Sequence, residues 1–130
     1  MKKILSIDDE PMILKCIEKA VHRFGYALRI TTDPEEGLRI IRDDKDLTLV
    51  MLDVRMPVKD GFQIFREFRQ FRHLPVLFVT AYPKSFSGRS DELVEMWRNE
   101  FADGTTDIIY KPFEIKTLLE KIEGLIGSAS

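Results

Sequence analysis

The chain has a single cysteine, Cys16, among its 130 residues, so it cannot form an intrachain disulfide. It carries little net charge, because 20 basic and 22 acidic side chains leave a formal charge of -2 at pH 7. That balance argues against general binding to nucleic acid or to anionic lipid. Long apolar runs are also missing, since stretches such as residues 50–52 are too short to span a bilayer. We therefore expect a cytoplasmic protein without nucleic-acid or membrane partners.

The remaining composition is that of an ordinary globular domain, with 44% hydrophobic and 32% charged residues. A chain of this length can bury a core without disulfides or a structural metal. Neither a low-complexity tract nor a linker composition divides it. We expect one domain over residues 1–127, followed by a tail or truncated linker over residues 128–130.

Short apolar segments alternate along the chain with segments of helical periodicity. The apolar segments lack polar alternation, which is typical of strands buried on both faces, and they span residues 4–7, 26–31, 47–52, 75–79 and 108–110. Strands that alternate with helices predict right-handed crossovers and a parallel sheet.

Five helices are predicted between and after these strands. In the first, Leu14, Ile17, Val21 and Phe24 recur at spacings of three and four and form one apolar stripe. Asp33 is the expected N-cap of the second helix. The remaining stripes consist of Leu38 and Ile41, of Phe62, Phe65 and Phe68, of Trp97 and Phe101, and of Ile115, Leu119, Ile122 and Ile126. Four basic residues near the third helix are expected to form a solvated face: Arg66, Arg69, Arg72 and His73.

Polar side chains stand where four of the five predicted strands end, namely Asp8, Asp9 and Glu10, then Asp53, Thr80 and Lys111. Ligands of an open parallel sheet bind beyond these strand ends, so we expect one cluster there. Neighbouring carboxylates repel each other, and Mg²⁺ (or Mn²⁺), which favours carboxylate oxygens and water, would relieve that repulsion. A metal ion and an ammonium group can neutralise phosphoryl oxygens while Asp53 attacks and Thr80 donates a hydrogen bond.

With these residues in place, the chain resembles the receiver domain of two-component response regulators, including the chemotaxis receivers. The resemblance extends from residue 3 to about residue 126, and its motifs are residues 7–11, 52–57, 60–61, 79–81 and 111–113. It implies a flavodoxin-like, three-layer α/β/α fold. It further implies five parallel strands in the order 2-1-3-4-5 and five helices, so that residues 1–127 would form the receiver domain.

The resemblance assigns the chemistry to particular residues. It implies that Asp53 accepts the phosphoryl group, and that Asp8, Asp9, Asp53 and the backbone carbonyl of Arg55 hold the metal ion. The donor would be a histidine kinase or a histidine phosphotransfer protein. The domain would act as a signalling switch, with self-catalysed phosphoryl transfer and autodephosphorylation as its own chemistry.

The same resemblance places Thr80, Ala81 and Lys111 around the phosphoryl group and implies a cis peptide bond between Lys111 and Pro112. The switched surface would be formed by the fourth predicted helix, the fifth strand and the fifth helix. A downstream output protein or domain would read that surface. We expect a monomer or a weak dimer.

Two features depart from the family pattern. Ile108 occupies the position, three residues before Lys111, where the family usually has an aromatic side chain that reports phosphorylation. The fourth crossover is long, and residues 82–90, which contain proline, glycine and three serines, are expected to form a loop.

Two other functions stay open on the sequence. The first is a protein-interaction module of the same fold that does not depend on phosphorylation, which Ile108 and the long loop favour. The second is a Mg²⁺-dependent phosphohydrolase with an aspartyl nucleophile, similar to the haloacid dehalogenase family. Those hydrolases have a second aspartate two residues after the nucleophile, where this chain has Arg55.

Overall fold

The structure is a computed structural model that describes residues 2–56, 59–80 and 104–127. The elements in chain order are β1 (Lys3–Ile7), α1 (Pro11–Arg23), β2 (Ala27–Thr31), α2 (Pro34–Asp43), β3 (Leu47–Asp53), α3 (Gly61–Phe68), β4 (Val76–Thr80), β5 (Thr106–Tyr110) and α4 (Ile115–Ile126). The predicted helix at Trp97 and Phe101 and the predicted loop at residues 82–90 lie outside the described residues, as does the expected tail. No helix in the described ranges is long and apolar enough to cross a membrane.

The five strands form one parallel sheet in the order β2-β1-β3-β4-β5, which confirms the expected topology. The burial of the central strand β3 is typical of a parallel sheet. Six of its seven residues are buried, so both of its faces need to be covered by helices.

Two apolar layers cover the sheet, one on each face, because successive side chains of a strand point to opposite sides. In β1, Ile7 packs with Ile41 of α2 and Phe62 of α3 on one face. Ile4 of the same strand packs on the other face with residues of α1 and α4, among them Ile17 and Leu118. The three-layer α/β/α arrangement is therefore confirmed for the described residues.

The predicted apolar stripes of the first and the last helix each include a residue that the structure shows to be exposed. Phe24 is 53% exposed, because α1 ends at Arg23 and the chain turns at Gly25, whose φ of 93° lies in the left-handed region. Tyr26, just after the turn, is buried in its place. At the C-terminal helix α4 the sheet-facing line runs through Leu118 and Ile122, and Ile115 in the first turn stays exposed.

The predicted solvated face at α3 is wrong for two of its members. Arg66 and His73 are exposed as expected, although His73 contacts Arg69. The guanidinium of Arg69 lies over the Phe65 ring at 4.6 Å, and that of Arg72 donates to backbone carbonyls at the end of α2. Sequence periodicity did not reveal the Arg72 contacts, because their partners are carbonyl groups of the polypeptide backbone.

The N-cap of α2 yields a first testable prediction. The Asp33 carboxylate accepts a hydrogen bond from the Glu35 backbone N–H at 3.0 Å, which confirms the predicted cap. We expect Asp33→Ala to lower the free energy of unfolding by about 1 kcal/mol, because a helix N–H loses its acceptor. Urea denaturation measures this, with Asp43→Ala at the other end of α2 as the control. An unchanged denaturation midpoint would contradict the role of the cap.

Gly124 in α4 yields a second prediction. A methyl group added at this position would meet no atom within 4 Å, and the backbone is not in the left-handed region. Glycine inside a helix costs about 0.5–1 kcal/mol relative to alanine, so Gly124→Ala should raise the free energy of unfolding by about that amount. Thermal and urea denaturation should agree on the gain, and a loss of stability would show an unrecognised contact.

Candidate functional site

The site lies at the carboxyl ends of the central strands, where β1 and β3 pair side by side. Ile7 is in register with Leu52, so the residues that follow, Asp8 and Asp53, are neighbours. Carboxylate oxygens of four residues lie within 4.8 Å of one another, those of Asp8, Asp9, Glu10 and Asp53. The structure therefore brings together every acidic residue that the sequence analysis placed at this edge.

The four acids differ in their exposure to water. Asp8 and Asp53 are 2% and 3% exposed, whereas Asp9 and Glu10 are exposed. Each buried carboxylate accepts one backbone N–H, Asp8 from Glu10 at 2.9 Å and Asp53 from Arg55 at 3.3 Å. These bonds hold the two buried carboxylates in place, and the exposed acids form the open side of the cluster.

Lys111 supplies a positive charge to the cluster from the loop after β5. Its Nζ lies 3.0 Å from Asp8, 3.3 Å from Glu10 and 3.8 Å from Asp53. The Lys111-Pro112 peptide bond is cis, as the family resemblance implied. The pairing with Glu10 was not predicted, although the acidic run at residues 8–10 carried a signal for it.

Burial and like charge disfavour ionisation of the two inner acids. Burial raises the pKa of Asp53 to about 7, and the neighbouring charge of Asp8 adds to that rise against the opposing effect of Lys111. Burial likewise raises the pKa of Asp8. Burial alone would lower the pKa of Lys111, but the charges of Asp53 and Asp8 outweigh it and raise that pKa. Asp53 is thus a poorly solvated carboxylate that gains from added positive charge.

The donor set fits a hard divalent cation. Four carboxylates meet one ammonium group here, so negative charge exceeds positive charge among the described residues of the cluster. Mg²⁺ favours such oxygen ligands and retains water, which the exposed side at Asp9 and Glu10 allows.

The structure shows less of the remaining predicted residues. Thr80 ends β4, and its backbone is in register with Tyr110, while the neighbouring Val79 pairs with Asp53. Ala81 lies outside the described residues. Ile108 is half-buried and packs against the core layer of α2 and α3, whereas Tyr110 is 44% exposed.

Comparison with known proteins yields a consistent set of relatives. Residues 4–123 match the family described as response regulator receiver domain. The transcriptional regulatory protein CpxR of Klebsiella pneumoniae is 31% identical over 126 residues, which cover 97% of this chain and 50% of that protein. The chain spans about half the length of the curated relatives it matches.

Two solved structures are similar along their whole length. The receiver domain of a sensor histidine kinase from Pseudomonas aeruginosa PAO1, with magnesium coordinated in its active-site cleft, is 26% identical with a TM-score of 0.76, covering 98% of each chain. The response regulator protein TrrA from Thermotoga maritima, in complex with Mg²⁺-BeF, is 27% identical with a TM-score of 0.75, covering 96% of this chain and 99% of that one.

Proposed function

The chain belongs to the response regulator receiver domain family, whose role is phosphorylation-dependent signalling, and from this premise we propose that Asp53 accepts the phosphoryl group. The observation that carries the proposal is the placement of Asp53. Its carboxylate is 3% exposed, ends the central strand, and faces Asp8 and Lys111. Among the described carboxylates, only Asp53 and its neighbour Asp8 are buried at a strand end and lie beside both an acidic cluster and a lysine.

The chemistry is a transfer between nucleophiles. A carboxylate oxygen of Asp53 forms a bond to phosphorus while the bond from phosphorus to the donor, a histidine ring nitrogen, breaks. Lys111 would contact a phosphoryl oxygen, and the 3.8 Å between its Nζ and the Asp53 carboxylate supports this role. Thr80 would donate a hydrogen bond to a second oxygen, and the small Ala81 would leave space for the group. Later attack by water on phosphorus breaks its bond to the Asp53 oxygen, releases inorganic phosphate and returns the Asp53 carboxylate to its free form.

A magnesium ion, or manganese in its place, would be held by Asp8, Asp9, Asp53 and the backbone carbonyl of Arg55. When bound, it supplies positive charge that offsets the repulsion between the carboxylates and the incoming phosphoryl oxygens. The magnesium in the cleft of the Pseudomonas receiver domain supports this assignment. Arg55 follows Asp53 by two residues, and its side chain is exposed.

The partners follow from the transfer. The donor is a histidine kinase or a histidine phosphotransfer protein in the cytoplasm. The switched surface consists of the helix predicted at Trp97 and Phe101, of β5 and of the C-terminal helix α4. An output protein or domain recognises this surface. Residues 1–127 form the receiver unit, which acts as a monomer or weak dimer and binds no nucleic acid itself.

The test is the intact mass of the protein after incubation with Mg²⁺ and acetyl phosphate or phosphoramidate. We expect wild type to gain one phosphoryl group, and Asp53→Asn or a chelator to abolish the gain. Asp43→Asn, at an exposed acid on α2, should phosphorylate like wild type. Because a short-lived adduct would escape detection, beryllofluoride binding with Mg²⁺ is measured in parallel. Failure of both assays would refute the proposal.

Ile108 supports a second candidate, a module whose contacts do not depend on phosphorylation. Its side chain is half-buried and packs against the α2–α3 core layer, and it is not the aromatic residue that the family usually has at this position. In that case Asp53 would accept a phosphoryl group, but amide resonances of β5 and α4 would stay unchanged. The phosphohydrolase alternative is overturned by the family membership, which the match to residues 4–123 establishes.

A further inference from the structure

We propose that Gly61 is a positioning residue for the phosphoryl-transfer site, because only a residue without a side chain allows α3 to rest against the backbone of Asp53. The proposal depends on the proposed function of Asp53. It concerns a residue outside the acidic cluster, one that contacts neither metal ion nor phosphoryl group.

The argument begins with the space at the first residue of α3. A Cβ atom on Gly61 would lie 2.6 Å from the carbonyl oxygen of Asp53, and 3.2 Å from both the carbonyl carbon of Asp53 and the Cα of Val54. The Gly61 N–H also donates to the Val54 carbonyl at 3.1 Å. Both opposing groups are backbone and cannot rotate away. The φ of Gly61 is not positive, so the requirement for glycine is one of space.

Two other helical glycines show how specific this contact is. A Cβ atom on Gly37 would clash with Cδ1 of Ile7, which is the end of a flexible side chain. One on Gly124 would meet nothing within 4 Å. Among these three, Gly61 alone abuts the backbone that carries the predicted phosphoacceptor.

Polar contacts fix the conformation at the start of α3, and one of them joins it to α2. Asp60 and Gln63 form a reciprocal capping box, with both hydrogen bonds at 2.9 Å. The Nζ of Lys59 lies 2.8 Å from a Glu35 carboxylate oxygen of α2 and 2.6 Å from one of Glu67 in α3. An added methyl group would therefore displace the Asp53 peptide at least in part.

Displacement of the Asp53 peptide would change the position of its carboxylate in the acidic cluster. The Arg55 N–H donates a hydrogen bond to the Asp53 carboxylate, so the position of that carboxylate relative to Asp8 and Lys111 depends on the local backbone. Reaction sites tolerate shifts of only about 0.5 Å, and a shift of about 1 Å can cost about 100-fold in rate. A change at Gly61 should therefore affect the chemistry at Asp53 without touching a reacting atom.

The experiment compares Gly61→Ala with Gly124→Ala, which makes the same exchange in a helix where the methyl group has space. Each variant of the 130-residue chain is tested well below its unfolding temperature. The readouts are the Mg²⁺ dissociation constant from calorimetry and the rate of Asp53 phosphorylation by phosphoramidate. We expect Gly61→Ala to weaken Mg²⁺ binding several-fold and to slow phosphorylation by about 10- to 100-fold. Gly124→Ala should match wild type in both.

The outcomes separate the two proposals. If wild type binds Mg²⁺ and is phosphorylated but Gly61→Ala behaves identically, the positioning role is refuted while Asp53 keeps its function. If wild type is not phosphorylated and does not bind beryllofluoride, the proposed function itself fails. A merely structural role would lower the unfolding temperature of Gly61→Ala and leave the Mg²⁺ affinity of the folded protein unchanged.

A second variant keeps the test decisive if Gly61→Ala does not fold. Gln63→Ala removes the exposed half of the capping box and introduces no steric clash. It should loosen the start of α3 and weaken Mg²⁺ binding in the same direction, by a smaller factor. Unchanged Mg²⁺ affinity and phosphorylation rate in this variant would count against the proposal.

Discussion

Without divalent cations at about pH 8, Asp53→Asn is expected to be more stable than wild type, by on the order of 3 kcal/mol in free energy of unfolding. The reason is the environment of the carboxylate, which is 3% exposed and lies beside Asp8. Burial and that neighbouring charge raise its pKa to about 7, from an ordinary value of 3.8. Ionised Asp53 is thus less favourable in the folded protein than in the unfolded chain.

The sign of the pH dependence follows from proton binding. Between about pH 4 and about pH 7 the folded protein retains a proton on Asp53 that the unfolded chain has lost, so wild-type stability falls as the pH rises through this range. Asparagine resembles the protonated carboxyl group and does not titrate. The advantage of Asp53→Asn should therefore be close to zero at about pH 4 and reach its full size above about pH 7.

Urea denaturation in a chelating buffer, repeated across this pH range, measures the effect. Asp43→Asn is the matched control, since Asp43 is an exposed acid at the end of α2. Saturating Mg²⁺ should stabilise wild type more than Asp53→Asn and so narrow the gap, because the bound ion favours the ionised carboxylate. A stability difference that stays constant from about pH 4 to about pH 8 would show that ionisation of Asp53 is not its cause.

Much of the fold follows from sequence patterns that report burial directly. The five apolar segments correspond to the five strands, because a strand covered on both faces must be apolar throughout. Family resemblance added the strand order, which the apolar pattern alone does not specify. The helix stripes were less precise at their ends, where Phe24 and Ile115 continue the periodicity and yet face solvent.

The acids of the candidate site were also accessible to sequence reasoning, because strand ends of a parallel sheet converge on one edge. Asp8 and Asp53 meet there because neighbouring strands bring them into register. Contacts that depend on exact distances were not accessible. The pairing of Lys111 with Glu10 and the close approach of Gly61 to the Asp53 carbonyl emerge only when backbone positions are known.

Arg72 shows most clearly what sequence patterns miss, since a basic residue after an amphipathic helix is usually solvated. Helix α2 ends at Asp43 and leaves carbonyl groups without partners inside the helix. The Arg72 Nη1 donates to the carbonyls of Ile41 at 2.7 Å and Asp44 at 2.5 Å. Its Nη2 donates to those of Lys45 at 3.3 Å and Leu47 at 3.4 Å. A positive charge at a helix C-terminus also interacts favourably with the helix dipole.

We therefore expect Arg72→Ala to lower the free energy of unfolding by about 2–4 kcal/mol, because several carbonyls lose a charged donor at once. Arg66→Ala on the exposed side of α3 is the control and should change stability by less than about 0.5 kcal/mol. Arg72→Lys should recover less than half of the loss, since one ammonium group cannot reproduce the planar arrangement of donors.

Urea denaturation measures all three variants, and hydrogen exchange shows where stability is lost. The amides of the last turn of α2 and the start of β3 should exchange faster in Arg72→Ala, because Arg72 joins these two elements. Phosphorylation of Asp53 should proceed in the folded variant, as the contact lies at the amino ends of the strands, remote from the acidic cluster. Equal stability of Arg72→Ala and Arg66→Ala would mean that water replaces the guanidinium at these carbonyls without cost, and the capping role would have to be abandoned.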